Sequence, residues 1–171
     1  MAGNFQVPIL IREAERADFP AILALNAESE RFLSPLDEGL LVRLHDASAY
    51  HRVVDAGGSA VAFLLVLRDG ADYASPNYRW FSARHRSFLY VDRIVVGAAH
   101  RGSGLGPALY ADLFAFARRH GFAIVLCEYD VDPPNERSRR FHELSGFREV
   151  GQERHNGKLV SLQEARVSER D

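Results

Sequence analysis

With 171 residues, 47% of them apolar and 26% charged, the chain has the size and make-up of one globular domain, expected to span residues 1–171. A formal net charge of -2 excludes a general attraction to nucleic acid or to anionic membranes. No apolar run approaches the ~18 residues of a membrane span.

The elements follow in chain order. VPILIREA (7–14) reads as a first strand. Asp18 has the chemistry of a helix cap, and Phe19, Ile22, Leu23, Leu25 and Asn26 follow it at helical spacing. A second helix is expected from Asp37 to Asp46, after Ser34-Pro35. Residues 50–56 and 59–68 form a hairpin around Gly57-Gly58. Residues 70–86 break the pattern and read as irregular. FLYVDRIVV (88–96) is apolar enough for a central strand. Over 104–120, Leu105, Leu109, Leu113, Phe116 and Ala117 share one helical face, and Gly121 ends the helix. FAIVLCEYDV (122–131) is another buried strand. Pro133-Pro134 then opens a helix reaching Ser145, and a last hairpin turns at Asn156-Gly157. The order predicts one mixed, mostly antiparallel α/β sheet of about seven strands with helices on both faces.

IVVGAAHRGSGLGPALY is the most informative segment, because a strand runs into a glycine-rich turn that opens a helix. The first amides of a helix lack internal partners and face outward at its positive end. Glycines let a phosphate approach them. Arg101, Gly102, Ser103, Gly104, Leu105 and Gly106 therefore read as a pyrophosphate cradle. Pro107 occupies the third glycine position of a dinucleotide fingerprint, and the one lysine, Lys158, is far from any P-loop position.

The run Val96–Gly106, V-x(4)-R-x-x-G-x-G, resembles motif A of the GNAT superfamily of N-acetyltransferases. Asn135–Phe147, N-E-R-S-R-R-F-H-E-L-S-G-F, resembles a later pattern of the same superfamily. The resemblance implies acetyl-CoA as co-substrate and an amine as acceptor. It also implies that strands 88–96 and 122–131 splay apart at one end. The pantetheine arm would then pair with backbone at Ile94, Val95 and Val96, Asn135 would bond that arm, and Ser138 would let it pass. A plain helix cap is the alternative for Asn135. Arg137, Arg139 and Arg140 could face the 3′-phosphate of CoA, but a solvated helix face is the favoured reading.

An alkyl ammonium must lose a proton before it attacks a thioester. Glu128, on the strand beside the gap, is the first candidate base, with Asp130 on the same face by alternation and Asp92 as a third option. His142 stands where relatives carry a tyrosine proton donor; either it takes that role or it faces solvent. Asp72, Tyr73, Tyr78, Trp80 and Phe81 are candidates for an acceptor pocket or, alternatively, for a hydrophobic cluster pinning their loop. The seven histidines lack metal-ligand spacing, so no metal is expected. Lone Cys127 cannot form an internal disulfide and reads as inert core. MAGNFQVPIL lacks the pattern of a signal peptide, and with the lone cysteine this predicts a cytoplasmic protein. A homodimer through sheet edges or the terminal hairpin is compatible with the pattern. Transfer to a small-molecule amine leads the functional expectations. Transfer to a protein N-terminus or side chain, or a non-catalytic acetyl-CoA sensor, are the alternatives.

Overall fold

The computed structural model describes residues 9–168. Seven strands form one sheet: β1 Ile9–Glu13, β2 Tyr50–Ala56, β3 Ser59–Arg68, β4 Leu89–Val96, β5 Ile124–Asp132, β6 Arg148–His155 and β7 Lys158–Arg166, in spatial order β1-β2-β3-β4-β5-β7-β6. Among the described residues five α-helices accompany them: α1 Phe19–Ala27, α2 Glu38–Ala47, α3 Pro76–Ser82, α4 Leu105–Arg119 and α5 Glu136–Leu144. Every neighbouring pair is antiparallel except β4 and β5. The mixed sheet flanked by helices is thus present. Among the described residues no helix is long and apolar enough to cross a membrane.

Alternation along the strands gives each face of the sheet its own core. Phe63, Leu65, Leu67, Tyr90, Leu126 and Leu162 pack with α1, α2 and α3. Leu64, Val66, Leu89, Val125 and Cys127 pack with Leu105, Leu109, Leu113 and Ala117 of α4. Both sets come from the same central strands, which is why those strands read as continuous apolar runs. The β6–β7 turn places Asn156 at φ 51 and Gly157 at φ 78, the positive pair that a two-residue hairpin requires.

Two local expectations need correction, and the start of the first strand lies partly outside the described residues. Residues 70–86 are not wholly irregular: Ser75 caps α3, accepting from the Tyr78 amide, and Pro76 starts it. Asp18 precedes α1 without capping it, because its carboxylate accepts two bonds from Arg12 at 2.8 Å each and one from the Glu15 amide. The first strand begins at Ile9 among the described residues; positions 7 and 8 lie outside them.

A buried ion pair ties the central sheet to the segment after α1. Arg93 Nε donates to Asp92 at 2.8 Å, with both side chains no more than 3% exposed. The same guanidinium reaches Asn26 Oδ1 at 2.8 Å and Ser34 Oγ at 3.2 Å. Arg93→Met would leave a buried carboxylate without its counter-charge. It is expected to cost about 3–5 kcal/mol of stability, measured by urea unfolding; a change under about 1 kcal/mol would show that Asp92 is satisfied some other way.

Candidate active site

The parallel pair β4–β5 is joined only at Leu89↔Val125 and Tyr90↔Leu126. Beyond those pairs the strands part, leaving the backbone of Ile94, Val95 and Val96 along one wall of a cleft of about 1600 Å³. Cys127, Glu128, Tyr129 and Asp130 form the facing wall. The onset of α4 closes one end of this cleft. The start of α3 and the β6–β7 turn line the rest, and the segment after α1 runs along both, Glu28 accepting from the Ala98 amide at 2.9 Å and the Arg31 carbonyl from Lys158 at 3.4 Å.

At the α4 end, Gly102 and Gly104 adopt φ 78 and 82, and a side chain atom added at either would meet nothing. The backbone there is open to a ligand. Gly104 is the N-cap, its carbonyl accepting from the Ala108 amide at 3.1 Å, while the Leu105 and Gly106 amides lie in the unpaired first turn. Gly106 has a second reason to be glycine: a Cβ would lie 3.1 Å from the Phe141 ring, where α4 packs on α5. Arg101 lines the cleft and is tethered to the Val96 carbonyl at 3.3 Å. Ser103 turns its hydroxyl onto the His100 carbonyl. Asn135 caps α5, its Oδ1 accepting from the Ser138 amide at 3.2 Å, and both residues border the cleft. Arg139 is taken by Glu136 and Glu143 on its own helix, whereas Arg137 reaches the cleft wall.

The three carboxylates differ in their partners. Asp92 is bound by Arg93 and by the Tyr73 hydroxyl. Asp130 is bound by Lys158 Nζ at 2.9 Å. Among the described residues Glu128 has no cationic partner; its Oε1 accepts from Tyr90 at 2.7 Å, and its buried Oε2 has no hydrogen-bond partner there. Burial pushes the Glu128 carboxyl up to about 7, the neighbouring charges of Asp92 and Asp130 adding to the effect while Tyr90 and Asn77 oppose it. Asn77, from α3, carries a second unpaired buried oxygen on the same cleft.

Tyr90→Phe removes a hydroxyl that favours the Glu128 carboxylate. The acid limb of any rate profile governed by Glu128 should then move up by roughly one pH unit or more. An unmoved limb in that variant would detach Glu128 from the limb.

His142 is neither turned to solvent nor free to act as an imidazolium. It is 3% exposed. Its Nδ1–H donates to the Ser138 carbonyl at 2.7 Å, so Nε2 accepts from the Tyr110 hydroxyl at 2.8 Å. Burial lowers its pKa to about 4, which makes the ring neutral at pH 7.

Of the aromatic candidates, only Tyr73 borders the cleft. Tyr78 and Phe81 belong to the core, Tyr78 bonding the Arg68 carbonyl at 2.6 Å. Trp80 packs on Phe81 and beneath the Arg84 guanidinium. Asp72 is exposed and away from the cleft wall. Asn77, His155 and Lys158 complete that end instead, residues to which the sequence alone attaches no such role. Lys158 also reaches the Arg31 carbonyl at 3.4 Å, bridging β7 to the segment after α1.

The model of the acetyltransferase (GNAT) family matches residues 10–147. Ard1 from Thermoplasma volcanium superposes with a TM-score of 0.79 at 19% identity, over 95% of this chain and 100% of that one. The putative acetyltransferase yncA from Salmonella typhimurium, solved with its cofactor acetyl-CoA, gives 0.71 at 19% identity over 96% of each chain. The ribosomal-protein-S18-alanine N-acetyltransferase from Escherichia coli gives 0.71 at 17% identity, over 96% of this chain and 97% of that one. No curated protein matches the chain at a significant level. The open cradle and the free edge of β4 fit the diphosphate and amide-bearing arm of acetyl-CoA, the acyl donor of this family. The chain belongs to the GNAT acetyltransferase family.

Proposed function

We propose that the chain transfers the acetyl group of acetyl-CoA to the primary amine of a small molecule, with Glu128 as the general base. One observation carries this reading: of the β4 and β5 carboxylates that line the cleft, Glu128 alone has no ion-pair partner among the described residues, and one of its oxygens has no hydrogen-bond partner. A carboxyl held at about 7 is poised to take a proton near neutral pH.

Acetyl-CoA supplies an activated acyl group whose bond to sulphur is weak enough for an amine to displace. The amides of Gly102, Gly104, Leu105 and Gly106 would hold its diphosphate, with Arg101 and Ser103 shaping the loop. Ile94, Val95 and Val96 would pair with its arm as an added strand does, beside Asn135 and Ser138. A free β4 amide would polarise the acyl carbonyl. For a free amine acceptor, Asp130 and Asp92, each held by a cation, set the charge around Glu128, which takes the proton. His142 is a neutral brace between α5 and Tyr110, so the sulphur draws its proton from water.

The bridge from Lys158 to the Arg31 carbonyl joins two walls of the cleft and would narrow its acceptor end. That supports a small acceptor over a protein segment, which needs an open groove. The test is CoA release across a panel of primary amines, with the product identified by mass. Tight acetyl-CoA binding without release for any amine would favour a sensor instead. Release only with peptide N-termini or protein lysines would replace the small-molecule acceptor.

A further inference from the structure

Lys158 is the only lysine in the chain, and every other basic side chain of the Lys/Arg pair is an arginine. Its placement is unusual for a lone amine: it lines the cleft that holds Glu128. Its Nζ lies 2.9 Å from Asp130 Oδ2, and its side chain is 39% exposed, so it is neither locked in the core nor out on the surface. Asp130 is two residues from Glu128 on β5, about 6–7 Å along a strand. The flexible lysine stem carries its nitrogen into the cleft at the level of Asp130.

We infer that Lys158 is an acceptor built into the cleft, and that the chain acetylates this residue itself. The inference rests on the acetyl-transfer reading above. The ammonium gives one proton to Asp130, the carboxylate it already touches. The freed nitrogen forms a C–N bond to the acetyl carbonyl carbon as the C–S bond breaks, its electron pair staying on sulphur. The second proton of the nitrogen goes to that sulphur, leaving free CoA and an N-acetyl-lysine. The new amide has no charge, so Asp130 loses its counter-ion, and the ammonium link to the Arg31 carbonyl is replaced by a bulkier neutral group. Arginine cannot be modified this way at neutral pH, which confines side-chain acetylation to one position.

The experiment incubates the purified full chain with acetyl-CoA and follows intact mass, then locates the group by peptide mapping. One acetyl group on Lys158 is expected, at a fractional rate unchanged when the chain is diluted. Lys158→Arg should remove that modification, and Gly104→Glu, which blocks the cradle, should suppress it at the same acetyl-CoA concentration. Equal modification in Gly104→Glu would mean simple chemical acylation and overturn the inference. A rate that falls on dilution would overturn the self-directed step. An unmodified Lys158 in a chain that acetylates free amines sinks the inference and leaves the proposed function standing. Failure of both reactions removes both.

Discussion

Glu128→Gln is expected to lower kcat/KM for the amine by about 10²–10⁴-fold while leaving acetyl-CoA affinity unchanged. Glutamine keeps the shape and still accepts the Tyr90 hydroxyl bond, but it cannot take up a proton at neutral pH. In the parent chain the rate should rise through about pH 7 as Glu128 ionises, and the variant should lack that rise. The same pKa sets a stability effect of opposite sense. The folded carboxyl titrates at about 7 against an ordinary value of 4.5, so the folded state holds a proton that the unfolded state has released between those values. Stability is therefore greatest below the lower value and falls as pH rises through about 7. Glutamine escapes that loss, and Glu128→Gln should be more stable than the parent above pH 7, by at most roughly 3 kcal/mol. Chemical unfolding at pH 6 and pH 8 checks this. A variant both inactive and stabilised separates lost chemistry from lost fold, and one with full activity and an intact acid limb would remove Glu128 from the mechanism.

How much of this was legible in the sequence depended on how local each signal was. The β2–β3 hairpin was readable because Gly57-Gly58 sits between two apolar runs, and α4 because five apolar positions repeat on one face. Glu128 stood out as the first charge after the apolar run Ile124–Cys127, on the strand beside the gap. α3 was hidden by its brevity and by the proline at its start, although Tyr78 and Phe81 already show the i, i+3 spacing of its buried face. With that spacing recognised, Tyr78 and Phe81 would have been assigned to the core and Tyr73 left as the cleft aromatic. The remaining contacts join distant elements: Tyr110 with His142, Tyr90 with Glu128, Lys158 with Asp130. No spacing rule encodes such pairs, because the fold alone brings them together. His142 shows the consequence. Its place in the motif suggested a proton donor, while its burial and its two bonded nitrogens, visible only in three dimensions, make it a neutral brace.

Gly104→Glu should weaken acetyl-CoA binding by about 100-fold or more, close to 3 kcal/mol. A Cβ at Gly104 meets no atom within 4 Å, so the new side chain displaces no packing. The left-handed φ of 82 makes any non-glycine residue strained there, at about 1–2 kcal/mol. A carboxylate at a helix N-terminus recovers part of that by facing the positive end of the helix and its free amides. The fold should survive, but those amides are the ones a diphosphate needs, and like charge repels it from the turn. Gly104→Ala carries the same backbone strain without the charge and should lose far less affinity than the glutamate. Calorimetric titration of both variants with acetyl-CoA, beside their melting temperatures without ligand, separates charge from strain. Equal losses in the two would assign the effect to backbone geometry. Unchanged affinity in Gly104→Glu would move the diphosphate away from α4 altogether, and with it the direction in which the acyl group enters the gap between β4 and β5.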